Sequence, residues 1–268
     1  MPILTDSLRT FAEEPESEIA DVPGIAPRIM TPRYSLNLSP SRTQTVTSRV
    51  RTTVEELDAT IAEVRGRLRE QGFTGNVWHV GPSSRPEGLG ALLRARGFVP
   101  AVRPPYEPVM TSMVLVEPPS GSFDPEIEVR LVSNLDEYVQ ALRVAMVAFN
   151  ESEEDAAGWM KAAPTLWASQ DDKTRFTHIA YLSGKPVGFG FAAGADSGIL
   201  LGGSGVLPEA RGRGVYRAML AARWEHAQRM GCGGVAIQAG AMSRPILERC
   251  GFKVVCQLEV LEDMGITG

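Results

Sequence analysis

The sequence is poor in cysteine. Its 268 residues contain three, Cys232, Cys250 and Cys256, all near the C-terminus. An odd number at that spacing excludes a disulfide framework and a zinc site, so no metal is expected. The thiols read as small buried apolar side chains in a reducing cytoplasm. No apolar run is long enough to cross a bilayer. Met1 to Ala20 is acidic beyond Arg9 and lacks the apolar stretch of a signal peptide, which points to a cytoplasmic protein with no membrane contact. Excess positive charge is also missing. The 27 basic and 32 acidic residues give a net charge of −5, which argues against a nucleic-acid partner. No Gly-Lys-Ser/Thr follows a glycine run, which excludes a P-loop. What the chain does have is 43% hydrophobic residues, enough for a core in one large or two modest domains.

Residues 1 to 48 are rich in Pro, Ser, Thr and Glu, show little periodicity and read as including a mobile leader. Val54, Leu57, Ile61, Val64 and Leu68 then follow helical spacing, with Thr53 and Glu56 in the relation of a capping box. Asn76 to Val80 reads as a strand, Leu89 to Arg96 as a helix and Met110 to Val116 as a strand. Pro118 to Ser122 reads as a linker. Beyond it, Glu126 to Leu131 is a strand, and Leu135 to Phe149 is a helix behind an Asn134 cap. An acidic loop follows from Asn150 to Asp155, then a helical segment with Trp159 and Trp167. Thr177 to Leu182 and Val187 to Phe191 form a hairpin. Ile199 to Val206 is the next strand, and the helix after it ends near Gly231. Gly234 to Gln238, Arg244 to Arg249 and Val254 to Leu261 read as strand, helix and strand. This mixed order predicts an α/β sheet with helices on both faces.

Between the strand at Ile199 and its following helix lies Val206-Leu207-Pro208-Glu209-Ala210-Arg211-Gly212-Arg213-Gly214-Val215-Tyr216-Arg217. A glycine-rich turn into a helix start aims backbone N–H groups at one point, and with the helix dipole and two arginines it makes an anion site. The natural ligand for such a turn is a phosphate-bearing cofactor. There is also an internal echo. Gly81-Pro82-Ser83-Ser84-Arg85-Pro86 matches Gly240-Ala241-Met242-Ser243-Arg244-Pro245 at Gly, Ser, Arg and Pro. Each copy follows a strand and precedes a short helix closed by Gly-Phe, at Gly97-Phe98 and Gly251-Phe252. The first half has no equivalent of the glycine turn.

These residues resemble the GNAT superfamily of N-acetyltransferases. Its signature, Arg/Gln-x-x-Gly-x-Gly/Ala entered through Val-x-Pro-Glu, is met at Val206 to Val215, with Tyr216 in place of the last small residue. The closing short helix and Gly-Phe are met at Ile246 to Phe252. The resemblance implies a GNAT-like mixed sheet flanked by helices over residues 121–268. A smaller, degenerate GNAT-like α/β half would precede it over residues 1–120, narrowing an acceptor cleft or forming a homodimer surface.

The resemblance further implies an N-acetyltransferase that moves an acetyl group from acetyl-CoA, or another acyl-CoA, directly to the amine of a small-molecule acceptor. Backbone groups of Ser204, Gly205 and Val206 would pair with the pantetheine, and the Val206 N–H would polarise the thioester carbonyl. The turn from Arg211 through Gly212, Arg213, Gly214, Val215, Tyr216 and Arg217 would hold the pyrophosphate.

Departures from the family pattern are equally legible. Leu247 stands where many members carry the tyrosine that protonates the thiolate. Ile199 to Leu201 is apolar where others carry a glutamate base, and Gly240 replaces a frequent asparagine. Glu151 in the acidic loop and His178 in a strand remain as candidate acid/base groups. The alternative reading is a CoA-binding sensor or interaction module without catalysis, favoured by the absent tyrosine and glutamate.

Overall fold

A computed structural model describes residues 4–266 apart from Pro23, Pro104 and Asp172. The N-terminal half contains α1 (Asp6–Glu13), β1 (Arg28–Met30), β2 (Ser35–Asn37), β3 (Thr45–Ser48), α2 (Leu57–Glu70), β4 (Asn76–Val80), α3 (Leu89–Arg94), β5 (Val99–Pro100) and β6 (Val109–Leu115). The C-terminal half contains β7 (Ile127–Leu131), α4 (Leu135–Phe149), α5 (Glu153–Ala168), β8 (Arg175–Leu182), β9 (Lys185–Ala195), β10 (Gly198–Val206), α6 (Val215–Arg229), β11 (Val235–Ala239), α7 (Arg244–Arg249) and β12 (Lys253–Glu262). One mixed sheet joins them in the order β1-β2-β3-β4-β12-β6-β11-β10-β9-β8-β7, with β5 beside β12.

The internal echo is a repeated unit of structure. In each half a parallel strand pair brackets a helix, β3 with β4 around α2 and β10 with β11 around α6. Each second strand leads into a short helix, α3 or α7, and each Gly-Phe turn buries its phenylalanine, Phe98 or Phe252. The final strands then cross over. β6 leaves the N-terminal half and pairs with β11 along Val235–Ala239. β12 leaves the C-terminal half and pairs with β4 from Val77 to Val80. β6 and β12 also pair with each other. Each half therefore completes its sheet with the other's last strand.

The elements form largely where the apolar periodicity places them. α2 buries Leu57, Ile61, Val64 and Leu68 on one face. Thr53 Oγ1 accepts from the Glu56 N–H at 3.2 Å, but this bond closes the turn before the helix; α2 starts at Leu57 behind Glu56 with no side-chain cap, which corrects the capping box expected at Thr53 and Glu56. Asn134 caps α4 by accepting from the Glu137 N–H. α6 and α7 share one core with β6, β10 and β11 through Leu220, Trp224, Leu247, Met113 and Ile237. α4 packs on β8 and β9 through Ile179 and Phe189, in a separate cluster that α5 joins through Ala162, Ala163 and Leu166.

Two further expectations are corrected. The stretch read as a mobile leader is folded. Thr5 caps α1, whose Leu8, Phe11 and Ala12 are buried against Val114, Val116 and Ala236. Eight residues are too few to display helical periodicity clearly, yet burying Leu8 and Phe11 stabilises by about 2 kcal/mol each, enough to dock the segment. The acidic loop after α4 is also shorter than expected, because Ser152 caps α5 by accepting from the Asp155 N–H.

The strand exchange yields a prediction. Residues 121–268 expressed alone leave β11 without β6, and residues 1–120 leave β4 without β12. Neither piece should unfold cooperatively by circular dichroism. Co-expressed, the two should co-purify as one particle with a single unfolding transition. A cooperative, monomeric 121–268 piece would contradict the exchange.

Candidate functional site

The sheet opens between β10 and β11. They pair only at Ile199↔Val235 and Leu200↔Ala236, while β11 stays paired with β6 on its other edge through Ala239. The divergence coincides with an irregularity in β10 between Leu201 and Ser204, where two residues have no partner in β9. Beyond it the β9–β10 ladder resumes at Ser204, Gly205 and Val206. The Leu207 N–H donates to the Val187 carbonyl at 2.9 Å. Peptide groups alternate along a strand, so those of Leu207 and Gly205 face β9. The N–H and C=O of Val206 point the other way, into the opening. Arg211 Nε donates to the Val206 oxygen at 3.2 Å.

A buried arginine supports the bulge. Arg223 on α6 is fully buried and lies over Gly190, where a Cβ would sit 3.2 Å from its Cζ. Its Nη1 donates to Ser204 Oγ at 2.7 Å and to the Phe191 carbonyl at 3.4 Å. Phe191 lies opposite the bulge, so its carbonyl would otherwise lose its ladder bond. No carboxylate pairs with Arg223 among the described residues, and burial holds its pKa below the usual arginine range. Sequence periodicity gives no hint of this role, since an arginine on a helix reads as a solvated face.

The glycine turn starts α6. Gly212 and Gly214 have φ of +79° and +88°, a region that side chains rarely tolerate. Space around the Gly212 Cα is open, whereas a Cβ on Gly214 would sit 2.8 Å from the Phe123 Cα. No side chain caps the helix, which leaves the first-turn N–H groups at Val215, Tyr216 and Arg217 uncapped. The arginines are less free than their sequence suggested. Arg213 pairs with Asp124, its Nε donating at 3.1 Å, and Arg217 Nη1 donates to the Ser122 carbonyl at 3.2 Å. A bonded Arg213 cannot add net charge to an anion site, because Asp124 neutralises it. The Asp124 carboxyl is held below the usual range first by the Glu126 N–H and then by this arginine.

The acid/base candidates separate. His178 is 2% exposed on β8 beside His226 and Arg223. Burial first, and then the Arg223 guanidinium, push its pKa down to about 3. It lies two strands from the opening, and an imidazole of so low a pKa is a poor general base. Leu247 is a fully buried member of the α6–α7 core, so no hydroxyl takes the tyrosine position there. Glu151 does lie near the opening. Ala148 and Phe149 just before it pack against Gly205 and Gly203 of β10. The Glu151 carboxylate accepts from Gln44 Nε2 at 2.7 Å, and burial raises its pKa.

Sequence reasoning missed the polar groups of the N-terminal half that face the same side. Glu16 follows α1, and burial raises its pKa to about 7. His79 on β4 is 8% exposed, with its Nδ1 4.0 Å from Glu16 Oε1, and burial lowers its pKa to about 4. The Tyr106 ring lies 6.5 Å from that of His79. Glu107 accepts from the Ala241 N–H at 2.6 Å, at the turn after β11. One signal was available: His79 interrupts the apolar run Val77-Trp78-His79-Val80.

Comparison with known proteins places these features. Residues 139–252 match the model of the acetyltransferase (GNAT) family. A GCN5-related N-acetyltransferase from Kribbella flavida superposes with a TM-score of 0.70 at 14% identity, covering 98% of this chain and 97% of its own. A functionally unknown conserved protein from Staphylococcus epidermidis gives 0.64 at 17% identity, with 89% and 94% covered. A tandem GNAT protein from the clavulanic acid biosynthesis pathway gives 0.59 at 15% identity, with 96% and 93% covered. At these identities the structural likeness establishes the fold. Among curated proteins, none matches the sequence.

Glu16 supplies a prediction on stability. Its pKa is about 7 in the folded protein against 4.5 for a free side chain. A raised carboxyl favours folding below pH 4.5, and that contribution is lost as the pH rises through 7. Glu16→Gln removes the cost of burying the charge. Relative to the wild type, the variant should gain up to about 3 kcal/mol between pH 4.5 and pH 8, read from urea unfolding at both values. An advantage that does not grow with pH would show that Glu16 is not a buried carboxylate.

Proposed function

Taking the chain as a GNAT protein in tandem arrangement, with the acetyltransferase family's domain at residues 139–252, we propose that it is an acyl-CoA-dependent N-acetyltransferase. It transfers an acetyl group from acetyl-CoA to the amine of a small-molecule acceptor in the cytoplasm, with no nucleic-acid or membrane partner. The observation that carries this reading is the continuity of one strand, turn and helix. β10 turns the Val206 N–H into the opening, and the same chain then presents the uncapped start of α6 through an unobstructed Gly212.

The chain's groups suit that cofactor. First-turn N–H groups at 215–217 and the open backbone at Gly212 would hold the pyrophosphate. The outward-facing peptide edge at Ser204 to Val206 would pair with the pantetheine as an added strand does. Acetyl-CoA brings the acetyl group already activated as a thioester. The Val206 N–H would bond the carbonyl oxygen, one preorganised donor where negative charge develops. Arg223 acts through the bulge, since it holds Ser204 and the Phe191 carbonyl at the point where β10 changes register.

The buried Leu247 favours a second reading, a CoA-binding module without turnover. A thiol of pKa about 8.5 leaves tolerably without a proton donor, so the first reading is preferred. Release of free thiol from acetyl-CoA in the presence of amines decides between them, and turnover would exclude the module.

Two variants test the cofactor site by calorimetric titration with acetyl-CoA. A Cβ at Gly212 meets no protein atom, so Gly212→Asn, among the residues that best tolerate a positive φ, should weaken binding at least tenfold while the circular dichroism spectrum is preserved. Asp124→Asn with Glu126→Gln removes both carboxylates that hold Arg213 and should tighten binding a few-fold at low salt, with the gain shrinking as ionic strength rises. Unchanged affinity in both variants would remove the pyrophosphate from this turn.

A further inference from the structure

The turn at Asn150–Ser152 sits beside β10, because Ala148 and Phe149 pack on Gly205 and Gly203. This sets the Glu151 carboxylate at one lip of the opening. Glu107 marks the other lip through its bond to the Ala241 N–H after β11. Tyr106 lies between these lips and the interior of the N-terminal half, where its hydroxyl feels the charges of Arg103, Glu16, Glu151 and Asp155. Behind it stand Glu16 and His79. Four stretches of the N-terminal half thus meet on this side: Glu13 to Glu16 at the end of α1, residues 41–44, β4, and Arg103 with Tyr106 and Glu107.

The charge of this interior is one-sided. Glu13, Glu16, Glu107, Glu151 and Asp155 have no lysine or arginine within ion-pair distance among the described residues. Glu13, Glu107, Glu151 and Asp155 accept only neutral donors: the Ser83 N–H and hydroxyl, the Ala241 N–H, the Gln44 amide, and the hydroxyls of Ser41 and Thr43. Two cations lie near them and both are already engaged: Arg103 is tied to Glu262 at 3.1 Å and to the Thr43 carbonyl, and Arg28 Nη1 donates to the backbone carbonyls of Glu16 at 2.8 Å and Ile19 at 2.6 Å. An independent observation points the same way. His79 is more than nine-tenths buried, and neither ring nitrogen has a hydrogen-bond partner. Oε2 of Glu16, beside it, is likewise without one. The acceptor nitrogen of a neutral imidazole and an ionised carboxylate beside it can each take an N–H bond from one ammonium group, whose charge also favours the ionised form of Glu16.

We propose that Glu16 and His79 anchor one ammonium group of an elongated, multiply cationic amine, whose other amino group reaches the opening beside Glu151. The N-terminal half then selects the acceptor while the C-terminal half carries the cofactor. This deepens the acyl-transfer reading and rests on it for the identity of the opening. The scale agrees, since β4 and β11 are three strand steps apart, roughly 14 Å at the usual spacing. Raised pKa values at Glu16 and Glu151 fit the same picture, because burial penalises their charge until a cation enters.

The test is calorimetric binding of a matched pair of probes to the full chain, 1,8-diaminooctane and octylamine. They share one carbon chain and differ by one ammonium group. The wild type should bind the diamine at least tenfold more tightly. Glu16→Gln and His79→Phe should each bring the diamine down to the level of octylamine and leave octylamine unchanged. Glu225→Gln, an exposed change of equal charge, should have no effect. Equal affinity for the two probes in the wild type, binding of neither, or selectivity that survives Glu16→Gln would overturn the proposal. Acetyl-CoA titrated into the same samples keeps the two readings apart. Diamine selectivity without cofactor binding would fail the acyl-transfer reading alone, and cofactor binding without selectivity would fail this one alone.

Discussion

The pairing of β12 with β4, and of β6 with β11, is the constraint on which the rest of the molecule depends. A sheet edge left open would expose a row of unpaired N–H and C=O groups, and here each half closes that edge with the other's chain. The exchange fixes how the halves face one another. It brings residues 103–107, which lead into β6, to the turn after β11, where Glu107 bonds Ala241. It also brings Asp263, at the end of β12, to Arg65 of α2 in a buried ion pair. An N-terminal half without a glycine turn is thereby retained as one wall of a shared interior.

Within the C-terminal half, function follows from a local failure of pairing. A parallel pair that stayed in register would bury the Val206 peptide in a ladder. The bulge at 202–203 breaks the register, and Arg223 makes the break tolerable by bonding the groups that it strands. Burying an arginine without a counter-ion is costly. Here that cost goes with a strand edge held open beside an uncapped helix start. The glycines at 188 and 190 of β9 let α6 approach closely enough for this contact.

Much of this was legible from residue order. The apolar periodicity gave α2, α4, α6 and α7, and the bounds of β4 and α7 agree with the structure to the residue. The glycine turn and the repeated Gly-x-x-Ser-Arg-Pro segment pointed to the fold that the solved structures share, a tandem GNAT protein among them. The failures have physical causes. α1 is too short to show a period, and β1 to β3 are strands of three or four residues rich in Ser and Thr. Arg213 read as a free charge because Asp124 lies 89 residues away in the chain. The strand exchange could not be read at all. β6 and β12 have the same pattern whether they close their own half or the other, since periodicity reports which face is buried and not which neighbour lies alongside. Glu16 and Tyr106 were invisible, and His79 showed only as a polar break in its strand, because the three lie on distant segments that meet only in the folded chain.

The crossing also sets a timetable for synthesis. β4 is made from residues 76–80, yet its partner is the strand at 253–262, translated long after it. The N-terminal half must therefore wait with an open edge while more than half of the chain is translated. Contacts of such long sequence separation form slowly and expose sticky edges meanwhile. The nascent chain is thus a natural client for a holding chaperone, and a ribosome stalled before residue 253 releases a product in which β4 still lacks β12, even where β6 has already closed the edge of β11.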